Sequence, residues 1–193
     1  ILHVFPSFKI GGAQVRFTQL AAGFGPSFSH TVIALDGAYT AAQFLSPGVR
    51  VTLGGRPDTR GSLPKRLGHY RQEIAAHAPD LLMTYNWGSI EWAMANTPRL
   101  VPHLHVEDGF GPEERDRQIP RRVWLRRLLL RRATVAVPSR VLYRIAAEVW
   151  RLPRDRLHYV PNGIDLARFA MPRASHAVPV IGTVAALRPE KNL

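Results

Sequence analysis

The sequence predicts a doubly wound parallel α/β sheet, and three observations predict it. Short apolar runs rich in β-branched residues alternate with longer stretches of helical composition. Gly, Pro, Asn and Ser separate the two kinds of segment. The stretch Leu63 to Ala78 places Leu63, Leu67, Ile74 and Ala78 on one helical stripe, with Arg66, Tyr70 and Glu73 facing elsewhere.

In chain order, Leu2 to Phe5 reads as the first strand. Ala13 to Gly23 is the first helix, with Phe17, Leu20 and Ala21 at helical spacing. Thr31 to Leu35 is a β-branched strand, followed by a helix over Ala38 to Leu45. The strand Arg50 to Leu53 precedes the helix Leu63 to Ala78, and Leu81 to Tyr85 leads into a helix over Gly88 to Ala95. Leu100 to Val106 is followed by a helix from Pro120 to Arg131, whose opening proline suits a first turn. Thr134 to Val137 runs to Ser139, a natural cap for the helix Arg140 to Trp150. That helix stops before Pro153, and Leu157 to Val160 is the seventh strand.

Composition narrows the class. Of 193 residues, 46% are hydrophobic and 21% charged, which excludes a disordered or collagen-like chain. The net charge is +12, and Lys occurs only at Lys9, Lys65 and Lys191, so the excess is carried by Arg. With no Cys, disulfides, thiolate zinc sites and cysteine nucleophiles are all excluded, in keeping with a reducing, cytoplasmic setting. No run approaches the roughly 20 apolar residues that span a bilayer. The opening Ile1 to Phe8 lacks the pattern of a signal peptide and reads as a strand already inside a domain. Both ends read as cuts in a longer chain.

Residues 167–179 break the strand and helix rhythm with Pro172, Pro179 and small residues. We therefore expect a domain over residues 1–169, a linker over 170–179, and a strand over 180–193 that begins a second α/β domain. The alternative is that this last strand completes the first sheet.

Two turns point to a ligand. The first strand runs into Pro6 to Ala13, where Gly11 and Gly12 precede a helix. Such a turn lets backbone amides approach a phosphate, although any tight strand-to-helix turn uses glycine. The spacing fits neither GxGxxG nor a P-loop. Further on, Pro161-Asn162-Gly163-Ile164-Asp165 fixes a sharp turn at the carboxyl end of a strand, where open α/β sheets place ligands.

This second turn, with Phe169, resembles the "PNGxDxxxF" signature of retaining GT-B glycosyltransferases of the family 4 type, position by position. Gly11-Gly12-Ala13 is similar to the family's opening turn, and Leu187-Arg188-Pro189-Glu190-Lys191-Asn192 to the "GRLxPEKN" that starts its second domain. One position departs, because the family's diphosphate-binding Arg falls on Ala186. The resemblance implies the N-terminal, Rossmann-like half of a two-domain GT-B enzyme, with a nucleotide-diphosphate sugar as donor substrate, a glycan or lipid-linked acceptor, and no cofactor or metal. It implies Gly11, Gly12 and Ala13 near the donor phosphates or acceptor, Lys191 and Arg188 on the diphosphate, and Asn162, Gly163 and Asp165 at the interdomain hinge. It also implies a cleft histidine, placed at His105 with His103 as the alternative register.

The segment around that histidine carries further polar groups. His103, His105 and Glu107 share one face of an extended run, and Asp108 stands at its exit. A metal cluster of His103, His105 and Asp108, a buried hydrogen-bonded histidine and a cleft role all fit this pattern. Glu107 and Asp108 suit an acceptor hydroxyl, and Asn86 and Trp87, at another strand exit, suit a sugar face. Asn86 also fits a plain helix cap.

Arg115 to Arg132 contains eight Arg and one Asp, a net +7 in one helix-sized segment. At about 100° per residue, Trp124, Leu125, Leu128 and Leu129 share one arc, while Arg122, Arg126, Arg127 and Arg131 take the other. The expectation is a helix with its apolar arc on the sheet and its Arg arc toward an anionic membrane surface on the inner face of the cell membrane, or simply toward solvent. Nucleic acid is not expected, because stacking aromatics and known binding signatures are missing. Rival functions are a nucleotide-sugar 2-epimerase of the same architecture and a non-catalytic phosphate-binding module.

Overall fold

The computed structural model describes residues 1–97, 99–114, 117–164, 166–170 and 182–184. Its contacts divide the chain into two units, Ile1–Pro161 and Asn162–Leu193. The first carries a seven-stranded sheet: β1 (Leu2–Phe5), β2 (Ser29–Ala34), β3 (Arg50–Leu53), β4 (Leu82–Tyr85), β5 (His103–Val106), β6 (Thr134–Val137) and β7 (Leu157–Tyr159). The spatial order is β3-β2-β1-β4-β5-β6-β7, and every pairing is parallel. The helices are α1 (Gly12–Phe24), α2 (Leu63–His77), α3 (Ile90–Ala95), α4 (Pro120–Leu129) and α5 (Arg140–Arg144). In the second unit, the described residues contain one short helix, α6 (Leu166–Phe169).

Alternation along the central strands explains why both faces need cover. Phe5, Val32, Ala34 and Tyr85 pack with Phe17 and Ala21 of α1. Their neighbours Leu2, Val4, Ile33 and Leu82 pack with Tyr70 and Ile74 of α2 and Trp92 of α3. Because successive side chains point to opposite faces, each strand feeds both layers. A third cluster, around Val135, Val137, Trp150 and Leu157, seats α5 and the β6–β7 end of the sheet. Across the β1–β4 junction, Phe5 and Tyr85 stack with ring centroids 3.7 Å apart, worth about 1 kcal/mol beyond their buried area.

Three helices differ from expectation. The helix expected over Ala38 to Leu45 is a short 3-10 segment, Thr40–Phe44, held to the β1 exit by the Phe8 amide donating to Ala38 O and the Ala41 amide donating to Phe8 O. Those two bonds spend backbone groups that a full α-helix would need internally. The stretch before α3 is also 3-10, over Trp87–Ser89. Helix α5 starts as expected, with Ser139 Oγ accepting from the Leu142 amide, and then widens into a π turn over Ile145–Val149. Beyond that turn, Trp150 is fully buried and its indole N–H donates to Gln118 Oε1 at 2.7 Å.

Candidate active site

The strand order reverses between β1 and β4, and open α/β sheets bind ligands outside the carboxyl ends of the strands at such a point. The β1 exit is the loop Pro6 to Gly11, which runs straight into α1. Gly11 is the N-cap with extended backbone and no capping side chain, and the first turn of α1 has no acidic residue. Gln14 braces this loop by donating from Nε2 to Ser7 O at 2.8 Å. The β4 exit approaches closely, since a Cβ on Gly88 would lie 2.6 Å from Cγ of Pro6. Only glycine lets the two exits touch there.

Asn86 joins the β4 exit to the β5 exit. Its backbone has φ of 55° and ψ of 178°, outside the left-handed helical region and strained for a residue with a Cβ. Its amide donates to Val106 O at 2.8 Å, and its Oδ1 accepts from the Asp108 amide at 2.7 Å. The Asp108 carboxylate in turn pairs with both Nη atoms of Arg16 on α1, at 2.8 and 2.9 Å. The glycine turn, Asn86 and Asp108 therefore form one polar edge. Arg16 was not legible as part of it, because its partner lies 92 residues away in sequence.

Behind that edge lies a buried polar chain on the face of the sheet beneath α3 and α4. Register sets Thr84 opposite His105. Thr84 Oγ1 lies 2.7 Å from His103 Nε2 and 2.8 Å from His105 Nδ1. His105 Nε2 is 3.6 Å from Glu107 Oε2. Burial, the neighbouring His105 and the charge of Arg99 pull His103 down to about 3, so it is neutral near pH 7.

Arg126 closes the chain from α4. Its Nε donates to Glu107 Oε2 at 3.2 Å, and its two Nη groups donate to the Glu114 carboxylate at 3.1 and 3.0 Å. The guanidinium lies 4.9 Å from the rings of Trp87 and Trp150 and 5.5 Å from Phe110. Burial pushes the Glu114 carboxyl up, but the hydrogen bonds from Arg126 and the Ile119 amide, with the Arg126 charge, outweigh it and hold it below the ordinary value.

These positions correct several expectations. Arg126 is 1% exposed, whereas Trp124 and Leu128 are 58% and 56% exposed, so the helix is turned the other way from the hydropathy pattern. Two buried carboxylates hold Arg126 inward, and Arg126 is no membrane-facing residue. Arg122 is half-buried against Glu113, Glu114 and the Trp87 ring, and Arg127 donates to the carbonyls of Val149 and Trp150. Arg131 is exposed. Glu107 and His105 are both 0% exposed, so neither lines the cleft surface. Trp87 lies partly buried at the β4 exit, and Asp108 is the acidic group that reaches the β5 exit. With Asp108 committed to Arg16, the histidine-aspartate cluster does not gather around one point. Among the described residues, no group of three or more potential ligands is placed to hold a metal. Asn162 and Gly163 are exposed, and Asp165, Arg188 and Lys191 lie outside the described residues.

Comparison with known proteins adds to this geometry. The protein-family model described as Glycosyltransferase Family 4 matches residues 10–168. No curated protein sequence matches the chain. The chain is similar in structure to Anabaena HepE in complex with UDP, with a TM-score of 0.64 and 17% identity over 86% of this chain and 44% of that one. It is also similar to a sucrose-phosphate synthase structure from Thermosynechococcus elongatus, with a TM-score of 0.55 and 16% identity over 88% of this chain and 92% of that one. A third is UDP-GlcNAc 2-epimerase from Neisseria meningitidis bound to UDP-GlcNAc, with a TM-score of 0.54 and 14% identity over 82% and 45%. At these identities the likeness shows the Rossmann-like fold alone. The chain spans less than half the length of HepE and of the epimerase.

Proposed function

Because the chain belongs to glycosyltransferase family 4, we propose that it is the acceptor-side half of a GT-B enzyme that transfers a sugar with retention from a nucleotide-diphosphate donor to a glycan or lipid-linked acceptor in envelope polysaccharide or lipopolysaccharide synthesis. The observation that carries this is the polar edge at the strand reversal, where Gly11, Asn86 and Asp108 meet within the region matched by the family. The domain covers residues 1–169, and residues 170–179 link it to a donor-binding domain that starts over 180–193. Gly11, Gly12 and Ala13 meet the donor phosphates or the acceptor. Asn86, Trp87 and Asp108 orient an acceptor hydroxyl. Lys191 and Arg188 hold the diphosphate, and Asn162, Gly163 and Asp165 form the hinge. The leaving diphosphate takes the acceptor proton, so no strong side-chain base is required.

His105 and Glu107 act here as positioning residues behind Asp108. In the full-length enzyme, Asp108→Asn should lower kcat about 100-fold, on the scale of a lost orienting group, with the donor KM little changed. His105→Gln should cost less, since it acts only through Glu107 and Thr84. Wild-type turnover in Asp108→Asn would remove Asp108 from the site.

The same fold serves UDP-GlcNAc 2-epimerases, so a 2-epimerase is the second reading. Release of epimerised free donor without an acceptor would favour it.

No helix among the described residues is long and apolar enough to cross a membrane. Peripheral attachment of a cytoplasmic protein to an anionic inner leaflet remains the proposal for α4, now with Trp124 and Leu128 entering the interface and the exposed Arg121 and Arg131 flanking them. Vesicle sedimentation tests it. Anionic vesicles should retain wild type and lose Trp124→Ser/Leu128→Ser, whereas equal pelleting with neutral vesicles would contradict the electrostatic part.

A further inference from the structure

A second concavity lies at the opposite end of β5 from the polar edge. It has a volume of about 370 Å³ and sits between the ends of α3 and α4, lined by Arg99, Arg131, Arg132, Asn96, Thr97 and His103. The three guanidiniums are exposed, and among the described residues none carries an ion pair. Asn96 and Thr97 spend their side chains on local backbone groups. His103 is nine-tenths buried, with Nε2 held by Thr84, which leaves Nδ1 as its ring atom for the concavity. The ends of α3 and α4 turn their carbonyls this way, each equivalent to at most about half a negative charge. Three full positive charges outweigh them, so the pocket favours an anion, and the forked guanidiniums favour phosphate geometry.

We propose that this pocket binds a phosphate group and that its occupancy is relayed through Thr84 to His105. The Thr84 hydroxyl has one proton to place between two histidines 2.7 and 2.8 Å away. When it donates to His105 Nδ1, His103 donates Nε2–H to it and turns a lone pair on Nδ1 toward the pocket. A phosphate there requires Nδ1–H instead. His103 Nε2 then accepts from Thr84, and Thr84 accepts Nδ1–H from His105. In that arrangement, the Nδ1–H of His105 is turned to Thr84, which changes what its Nε2 presents to Glu107 at 3.6 Å. Phosphate in the pocket therefore selects the tautomer of His105 beside Glu107, directly behind Asp108. This inference does not depend on the glycosyltransferase reading.

The phosphate can come from a soluble phosphomonoester or from a lipid headgroup, and one experiment with two arms separates the sources. Calorimetric titration of the purified protein with inorganic phosphate and glycerol 1-phosphate is run beside sedimentation with phosphatidic acid vesicles. Saturable binding should weaken about tenfold for each guanidinium removed, in Arg99→Ala, Arg131→Ala, Arg132→Ala and their triple combination. The triple variant Arg50→Ala/Arg140→Ala/Arg154→Ala loses the same charge from other exposed positions and should bind as wild type. Pocket-dependent binding of the soluble phosphates assigns a free ligand, and pocket-dependent binding of vesicles alone assigns a headgroup. An equal loss in both triple variants, or no saturable binding in either arm, would overturn the site. For the relay, ¹⁵N ring signals of His103 and His105 should both move on phosphate addition, and only that of His103 should move in Thr84→Val. A wild-type response confined to His103 would overturn the relay.

Discussion

Arg126→Met should destabilise the protein by about 3–5 kcal/mol, the scale for removing one partner of a buried ion cluster. Arg126 supplies hydrogen bonds to Glu107 and to both oxygens of Glu114, and the three side chains are almost completely buried. Methionine fills part of the space between Trp87, Phe110 and Trp150 but leaves Glu107 without its guanidinium and Glu114 with only Arg122 and the Ile119 amide. Arg126→Lys should recover little, since an ammonium cannot reproduce the fork to Glu114 or the stacking between rings. Adding Glu107→Gln and Glu114→Gln to Arg126→Met should restore part of the loss by removing the stranded charges. Urea unfolding reads all three. A loss below about 1 kcal/mol for Arg126→Met would mean that the cluster is solvated and that α4 is not anchored this way.

Stability should also fall steeply below about pH 6.5, well before carboxylates titrate. His103 has a proton affinity lowered to about 3, first by burial and then by His105 and Arg99. His3 is lowered by burial, by His30 and by the N-terminal amine, and it is locked between Tyr85 OH and His30 Nδ1 at 3.0 and 2.9 Å. Between the unfolded value near 6.5 and the folded value, the unfolded chain binds protons that the native state refuses. Acid therefore favours unfolding at about 1.4 kcal/mol per pH unit for each such group. At pH 4.5, His103 alone should have removed about 2–3 kcal/mol. Glu114 is shifted in the same direction, from an ordinary value of 4.5, so its contribution is present above about pH 4.5 and is lost only as pH falls through its lowered folded value. The two windows therefore separate. Unfolding free energies at pH 7.5, 5.5 and 4.5 should show the decline, and His103→Gln should make it shallower. A flat profile down to pH 4.5 would contradict the burial of neutral histidines.

How much of this was legible in the sequence depended on how local the determining interactions are. The seven strands follow from β-branched runs such as Thr31 to Leu35, because a strand buried on both faces must be apolar throughout. The Gly11 turn was legible because it is set by its own few residues, whereas the Asn86 side chain makes no helix cap and is spent on the Asp108 amide, 22 residues away. The orientation of α4 was not legible. A helical wheel ranks Arg126 as the outward residue, and only Glu114 and Glu107, 12 and 19 residues away, turn it inward. His105 was misplaced on the cleft surface by a similar omission. Its chemistry was visible, but its burial depends on Thr84 across the sheet and on α4 above it. Strand register and helix packing decide both, and neither is written in spacing along one segment.

Acceptor-dependent sugar transfer is the activity we propose for the enzyme this domain belongs to. The measurement that tests it most directly is a nucleotide-sugar panel with the full-length enzyme, following nucleoside diphosphate release with and without an acceptor extract. Release is expected from one donor and only with acceptor present, with the sugar recovered on that acceptor in the donor's anomeric configuration. Turnover that converts the free donor to its epimer without acceptor, or no turnover with any nucleotide sugar, would contradict it.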